Sequence, residues 1–189
     1  MTTMRSFGAG LFAAALLAFP LAAGAKGAPL VLDRAASHLD VAVTSTVTSF
    51  VARLETFDVA IALDPESGRV ESTAFHADLV AVKTGRADRD HNMIGWLQTN
   101  QFPRVDFELN AVERSPDGTL TAHGRLQLHG QQHDLSFPLT LAVSHRRATL
   151  DGTATLDTRD YGLPIIRFWL LTVDPVVRVH FHLQGSLGQ

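Results

Sequence analysis

The sequence contains no cysteine. Disulfides, thiol catalysis, thiolate metal sites and iron–sulfur clusters are therefore excluded, and stability must come from a core large enough to manage without cross-links. A basic surplus is also missing: 16 Lys and Arg stand against 19 Asp and Glu, a net charge of −3. A nucleic-acid partner would need a basic patch to neutralise phosphates, so none is expected. The chain has no Gly-x-Ser-x-Gly elbow, no His-Glu-x-x-His pair and no phosphate loop. Those absences remove the commonest signatures of serine hydrolases, zinc proteases and nucleotide enzymes. There is no internal repeat and no low-complexity linker. After the first 25 residues no apolar run is long enough to span a bilayer.

What is present begins with the N-terminus. Arg5 is the one charge before an apolar run, Phe7 to Leu21, that ends at Ala23-Gly24-Ala25. A basic start, a short apolar stretch and a small-x-small site predict a secretory signal peptide over residues 1–25. The run falls short of the roughly 20 residues a membrane span needs. Cleavage after Ala25 leaves 164 residues and shifts the net charge to −4, since one base and no acid are removed. That length suits one barrel domain, residues 26–189, with one sizeable core. The expected location is the periplasm.

Period-two alternation dominates the rest. Phe57, Val59, Ile61 and Leu63 alternate with Asp58, Ala60, Ala62 and Asp64, and Val105, Phe107 and Leu109 alternate with polar neighbours. Similar rows run over Leu120–Leu128, Leu135–Val143, Leu150–Leu156 and Val177–Leu183. One dry and one wet face is the antiparallel signature. Asp64-Pro65-Glu66-Ser67-Gly68, Ser115-Pro116-Asp117-Gly118 and Gly130 supply the reversals. With Leu39–Val43 and Val70–Val82 the count is eight strands. The predicted fold is all-β, an eight-stranded antiparallel barrel, with a sandwich as the fallback. Val70–Val82 changes parity near Phe75, which predicts a β-bulge there.

Ala87 to Asn100 does not alternate. Asp88 is expected to cap a helix and Asp90 to suit its positive first turn. Met93, Trp96 and Leu97 share one face, and Phe102-Pro103 stops the helix after about three turns. Small residues (Ala111, Ala122, Gly124, Gly152, Ala154) fall on the dry parity of the strands. From the pattern alone this leaves two interiors open: a cavity, or small residues answering large ones across a filled core.

Lys83-Thr84-Gly85 followed by Arg89-Asp90-His91 and Met93, then Phe102-Pro103 and Phe107, resembles the core motif of the YceI-like polyisoprenoid-binding family. Gly124-Arg-Leu-Gln-Leu-His-Gly130 and Asp157-Thr-Arg-Asp-Tyr-Gly162 are similar to two further family motifs. Order and spacing agree from about Leu32 to Leu183. The resemblance implies an extended lipocalin-like barrel with one α-helix, a tunnel for an isoprenoid chain such as a polyprenyl phosphate or a quinone tail, and the periplasm. Many members carry His where this chain has Ser45, and Gly where it has Ala52.

On that basis the ligand wall is assigned to Val41 and Val43, to Phe57, Val59 and Ile61, to Phe107, to Ala122, Gly124 and Leu126, to Phe137 and Leu139, to Ala154, and to Val179 and Phe181. Trp96 and Phe168 are assigned to the mouth, with Ser45 and Arg89 as head-group candidates. Arg suits an anionic head because its planar fork bonds phosphate in pairs; the competing role has Arg89 and Asp90 fixing the helix start. No catalytic residue and no cofactor is assigned. No metal site is assigned either: His180 and His182 share a wet face, whereas zinc needs three or four ligands. A homodimer is left open. The expected function is binding of an isoprenoid lipid or quinone, for transport or storage. The alternatives are an interaction module serving a membrane redox or stress partner, and a lipid hydrolase or isomerase.

Overall fold

The computed structural model describes residues 27–64 and 66–188. The expected signal peptide lies outside the described residues, as does the side chain of Phe168. In chain order the strands are β1 (Ala28–Leu32), β2 (His38–Thr44), β3 (Ser49–Leu54), β4 (Asp58–Leu63), β5 (Val70–Asp78) and, after a 3-10 turn at Leu79–Ala81, β6 (Val82–Lys83). Helix α1 (Ala87–Trp96) follows. Then come β7 (Arg104–Arg114), β8 (Leu120–Leu128), β9 (Gln131–Ser144), β10 (Arg147–Asp157), β11 (Arg167–Phe168), β12 (Leu171–Thr172) and β13 (Val176–Leu187).

These segments make eight staves of a closed antiparallel barrel. The ring runs β1, β4, β5, β7, β8, β9, β10, β13 and returns to β1. Two staves are bent double strands. β1 climbs along Gly185–Leu187 of β13, breaks at residues 33–37, and resumes as β2 along Arg178–His182. β3 descends beside β2 and continues, after Glu55–Phe57, as β4 beside β1. The break is bonded rather than frayed. Gln184 donates its N–H to the Ser37 hydroxyl (3.0 Å), and Asp33 donates its own N–H to the Gln184 carbonyl (2.7 Å). The buried backbone groups thus keep partners where the ladder skips.

Bulges correct two expectations. The extra residue in β5 is Glu71, opposite the Ala62/Leu63 step, and not near Phe75. In β7 the register slips between Leu109 and Ala111, so Ala111 turns outward and Val112 takes the inner place. A one-residue slip flips every following side chain to the other face. Two bent segments also escaped the alternation reading. In β3 the inward Phe50, Ala52 and Leu54 are masked by Val51, an outward residue that is 55% exposed. β1 is a continuous apolar run of five residues containing Pro29.

The helix starts one residue ahead of its expected cap. Arg86 is the N-cap, and it makes no side-chain capping bond. Asp88 sits inside the first turn and pairs with the Arg86 guanidinium (2.9 Å).

Two apolar clusters divide the interior. The lower one packs Leu30, Leu54, Phe57, Ile61, Leu63, Leu183 and Leu187 and plugs the end where β1 meets β13. The upper one gathers Phe107, Leu126, Phe137 and Leu163. The helix, the 158–175 segment and the β2–β3 turn all stand at the other end. Into that segment leads the turn after β10. There the Arg159 guanidinium bonds both carboxylate oxygens of Asp157, and the Arg159 N–H adds a further bond (3.0 Å). The Arg159 guanidinium and then that backbone N–H draw the Asp157 carboxyl down to about 2.

Two outcomes are expected. A Cβ on Gly185 would lie 2.4 Å from the Val31 carbonyl oxygen across the seam. Gly185→Ala should lower stability by roughly 1–3 kcal/mol in denaturant unfolding, because the backbone must move; an unchanged midpoint would show that the seam has slack. Asp157 has its carboxyl pKa depressed on folding. Its contribution is therefore complete above the unfolded carboxylate value, about 3.9, and is lost as pH falls through the folded value. Thermal melts of the parent and Asp157→Asn should differ by a constant amount near neutrality. The two should converge as the pH is lowered to about 2.

Candidate functional site

The barrel holds a cavity of about 930 Å3. It descends from the helix end past Phe107, Phe137 and Phe181 to Leu150, Leu183 and Val70. Its body is aliphatic and aromatic, with Thr73 the polar group among the strands deep in the barrel. The charged lining residues are Arg86, Asp88, Arg89, Arg167 and Asp174, all from mouth elements. A volume near the top of the usual ligand-pocket range of about 300–1,000 Å3 fits a large apolar guest.

Most of the expected wall is brought together: Val41, Val43, Val59, Ile61, Trp96, Phe107, Ala122, Leu126, Phe137, Leu139, Ala154, Val179 and Phe181 all line this space, as do Ser45 and Arg89. Two residues do not. Phe57 stands at the β3–β4 bend, packs into the lower plug and tilts against Phe75 (centroids 6.0 Å). Gly124 has inward parity, but the tip of the Phe107 ring fills the place of a side chain, 2.4 Å from where its Cβ would be. Gly152 gives the same room to Phe181, at 2.3 Å. The two readings of the small residues therefore both hold, at different positions. The glycines answer phenylalanines on neighbouring strands, whereas Ala122 and Ala154 face the lumen.

The sequence reading missed Phe50, Ala52 and Leu54 of β3 as wall. Their parity was available once Val51 is allowed outside. It also missed Leu163, Ile165 and Ile166, which have no period because they lie in an irregular segment.

The mouth is assembled by side-chain bonds. Thr84 donates both its N–H (2.8 Å) and its hydroxyl (2.6 Å) to Asp90, fixing the helix start on β6. Those bonds, the hydroxyl first, hold the Asp90 carboxyl below the usual range. The Arg86 guanidinium does the same to Asp88. The Trp96 indole N–H donates to the Pro164 carbonyl (2.8 Å), tying the helix end to the 158–175 segment. Asp90 is thus structural. Arg89 is held differently: its guanidinium stacks on the Phe50 ring, 4.0 Å from the centroid, at the cavity wall. Among the described residues it makes no ion pair within 4.0 Å. Ser45 is committed elsewhere. Its hydroxyl donates to the Thr48 carbonyl (2.7 Å) and accepts from the Thr48 N–H (3.1 Å), closing its own turn.

Several histidines are engaged by neighbouring residues. His182 bonds Asp151 through Nδ1 (2.6 Å) and stacks on His38, while His180 bonds the Thr153 hydroxyl (2.8 Å). His123 bonds Ser136 (2.8 Å), and His129 donates to the Tyr161 carbonyl (3.0 Å). No helix among the described residues is long and apolar enough to cross a membrane.

The YceI-like domain family matches residues 30–185. Among solved structures, BcnA of Burkholderia cenocepacia superposes with a TM-score of 0.73 at 18% identity, covering 82% of this chain and 100% of that one. A polyisoprenoid binding domain from Saccharophagus degradans, implicated in plant cell wall breakdown, gives 0.63 at 16% identity, over 86% of this chain and 99% of the other. The YceI protein of Campylobacter jejuni gives 0.63 at 11% identity, covering 73% and 85%. No curated protein matches the sequence. At these identities the superpositions establish a shared fold. The family match spans nearly every strand of the barrel, and the chain belongs to the YceI-like domain family.

Proposed function

We propose that this protein is an exported, periplasmic binding protein that carries or stores a long isoprenoid ligand, a polyprenyl phosphate or a quinone, and that it is not an enzyme. The observation that carries the reading is the apolar cavity with charge confined to its mouth. Such a wall recognises hydrocarbon. Each buried methylene contributes roughly 0.8 kcal/mol, so affinity rises with chain length and needs few polar contacts. The mouth supplies orientation. Arg89 presents a guanidinium on an aromatic platform, suited to an anionic or carbonyl head. Ser45, spent on its own turn, contributes shape rather than a hydrogen bond. A filled interior would have favoured the interaction module, and about 930 Å3 of open volume speaks against it. A hydrolase or isomerase would need polar groups converging deep in the cavity, where Thr73 stands alone. Family membership and the polyisoprenoid binding domain of Saccharophagus degradans support the choice of ligand class.

The first test is organic extraction of the purified protein with mass spectrometry, alongside titration with a fluorescent polyprenoid. A co-purifying isoprenoid and saturable uptake are expected. No lipid in repeated extracts, together with uptake no better than a control protein's, ends the proposal. Ala154→Phe and Ala122→Phe place a ring in the lumen and should cut uptake at least tenfold in a folded barrel; unchanged uptake would remove the interior as the site.

The second test is at the mouth. Arg89→Ala should weaken a phosphate-headed prenoid about tenfold, the scale of one charge-assisted contact of 1.5–3 kcal/mol or a little less. A headless hydrocarbon of the same length should bind as before. Equal loss on both would assign Arg89 to packing.

A further inference from the structure

The wall and the mouth leave one group of side chains without a role. β11 and β12 are joined by a two-residue turn, Trp169-Leu170. These residues are 94% and 86% exposed. Trp169 has φ +55°, a left-handed conformation that glycine adopts freely and a large side chain does not. A turn that only reversed the chain would carry Gly or Asn there. Beside it, at the tip of the β2–β3 hairpin, Val47 is 66% exposed. The two tips are fastened together. The Thr46 hydroxyl donates to the Leu170 carbonyl (2.7 Å) and accepts from the Thr172 N–H (3.0 Å). The Thr46 N–H donates to the Thr172 carbonyl (3.0 Å), and Ser45 bridges Val173. Trp169, Leu170 and Val47 therefore form one apolar edge on a braced support.

The edge adjoins the cavity, since Ser45, Thr48, Ile166 and Leu171 of the same two segments line the mouth. It is also nearly free of charge. Residues 43–51 carry none, and residues 162–173 carry Arg167 alone. Around it the mouth carries Arg86, Arg89 and Arg167 against Asp88 and Asp174, and Asp88 is paired with Arg86.

We propose that this edge docks the barrel on an anionic lipid bilayer. Trp169, Leu170 and Val47 enter the boundary between head groups and acyl chains, Arg167 meets lipid phosphates, and the cavity mouth opens onto the membrane. Tryptophan favours that boundary because its body is apolar and its N–H stays hydrated. A protein partner would need a rim of complementary polar groups, and this edge offers one cation. The choice of a bilayer rests on the isoprenoid-binding reading, because a water-insoluble guest has to enter and leave at a membrane.

The experiment uses vesicles of phosphatidylethanolamine and phosphatidylglycerol and the protein as its own cells process it. Trp96 and Trp169 are the two tryptophans of the sequence. In Trp96→Phe, the remaining emission should shift to the blue on vesicle addition and be quenched by brominated acyl chains. In Trp169→Phe, the Trp96 emission should do neither. Trp169→Ser with Leu170→Ser should lower vesicle co-flotation at least tenfold and leave uptake of a fluorescent polyprenoid within twofold. An unshifted, unquenched Trp169, or equal flotation of the double variant, overturns the proposal. So does a tip-dependent association with a protein in the absence of any with lipid. The two readings separate cleanly: tip-dependent flotation without polyprenoid uptake sinks the carrier reading alone, and uptake without flotation sinks the docking inference alone.

Discussion

The seam between β1 and β13 is the constraint on which the rest of this structure depends. Three register pairs, Leu30 with Leu187, Val31 with Ser186 and Leu32 with Gly185, join the two ends of the sheet. Once a sheet is closed, the backbone groups along the ring find partners in their neighbours, and the sheet no longer ends in two free edge strands at that level. The interior is then released from holding the sheet together at every level. Here the lower level is filled, with Leu63 wholly buried among Leu54, Leu183 and Leu187. The upper level is left hollow. A hollow sandwich would lose the contact that keeps its two sheets in register; a hollow barrel keeps its ladder.

The same seam explains the bends. β1 is short because β13 needs it only at the base, and above residues 33–37 its place is taken by β2. That substitution carries the β2–β3 hairpin up to the 158–175 segment, where Leu170, Thr172 and Val173 receive it. The mouth is thus made from pieces that the closed ring below does not need. They are held to one another by a few named bonds, Thr84 to Asp90, Trp96 to Pro164 and Thr46 to Leu170. Elements secured by few contacts are the ones able to open locally at modest cost.

Legibility in the sequence follows this division. The strands β7 to β10 and β13 are continuous staves with one dry face, so their alternation was plain, and so was the helix that broke it. Eight staves could be counted correctly while β1 and β3 went unseen, because each is one half of a bent stave. What alternation could not reveal was any event that shifts parity or fills space from a neighbouring strand. Asn110 inserts one residue and sends Ala111 outward. Phe107 and Phe181 lie over Gly124 and Gly152, a cross-strand relation that needs the register to be known. Phe57 has the right parity and the wrong height, since parity reports the face of a strand and says nothing of depth along the barrel. The residues of the cavity were therefore recoverable strand by strand, and its floor was not.

The glycine–phenylalanine pairs also set the character of the lumen. Phe107 and Phe137 have centroids 5.6 Å apart, as do Phe137 and Phe181, so three rings make a belt across β7, β9 and β13. Each outer ring of that belt has its tip lodged over a glycine of the adjacent strand. A ring drawn back against its wall leaves the axis open, whereas the same ring above an alanine would be pushed towards the middle. Aromatic surface and open volume usually compete in a small barrel, because large side chains fill it. Placing the rings over glycines, and alanines at Ala122 and Ala154, lets this barrel keep both. The lumen thus presents ring faces and edges along one band and branched aliphatics above and below. Such a wall suits an apolar guest and selects by shape more than by polar chemistry.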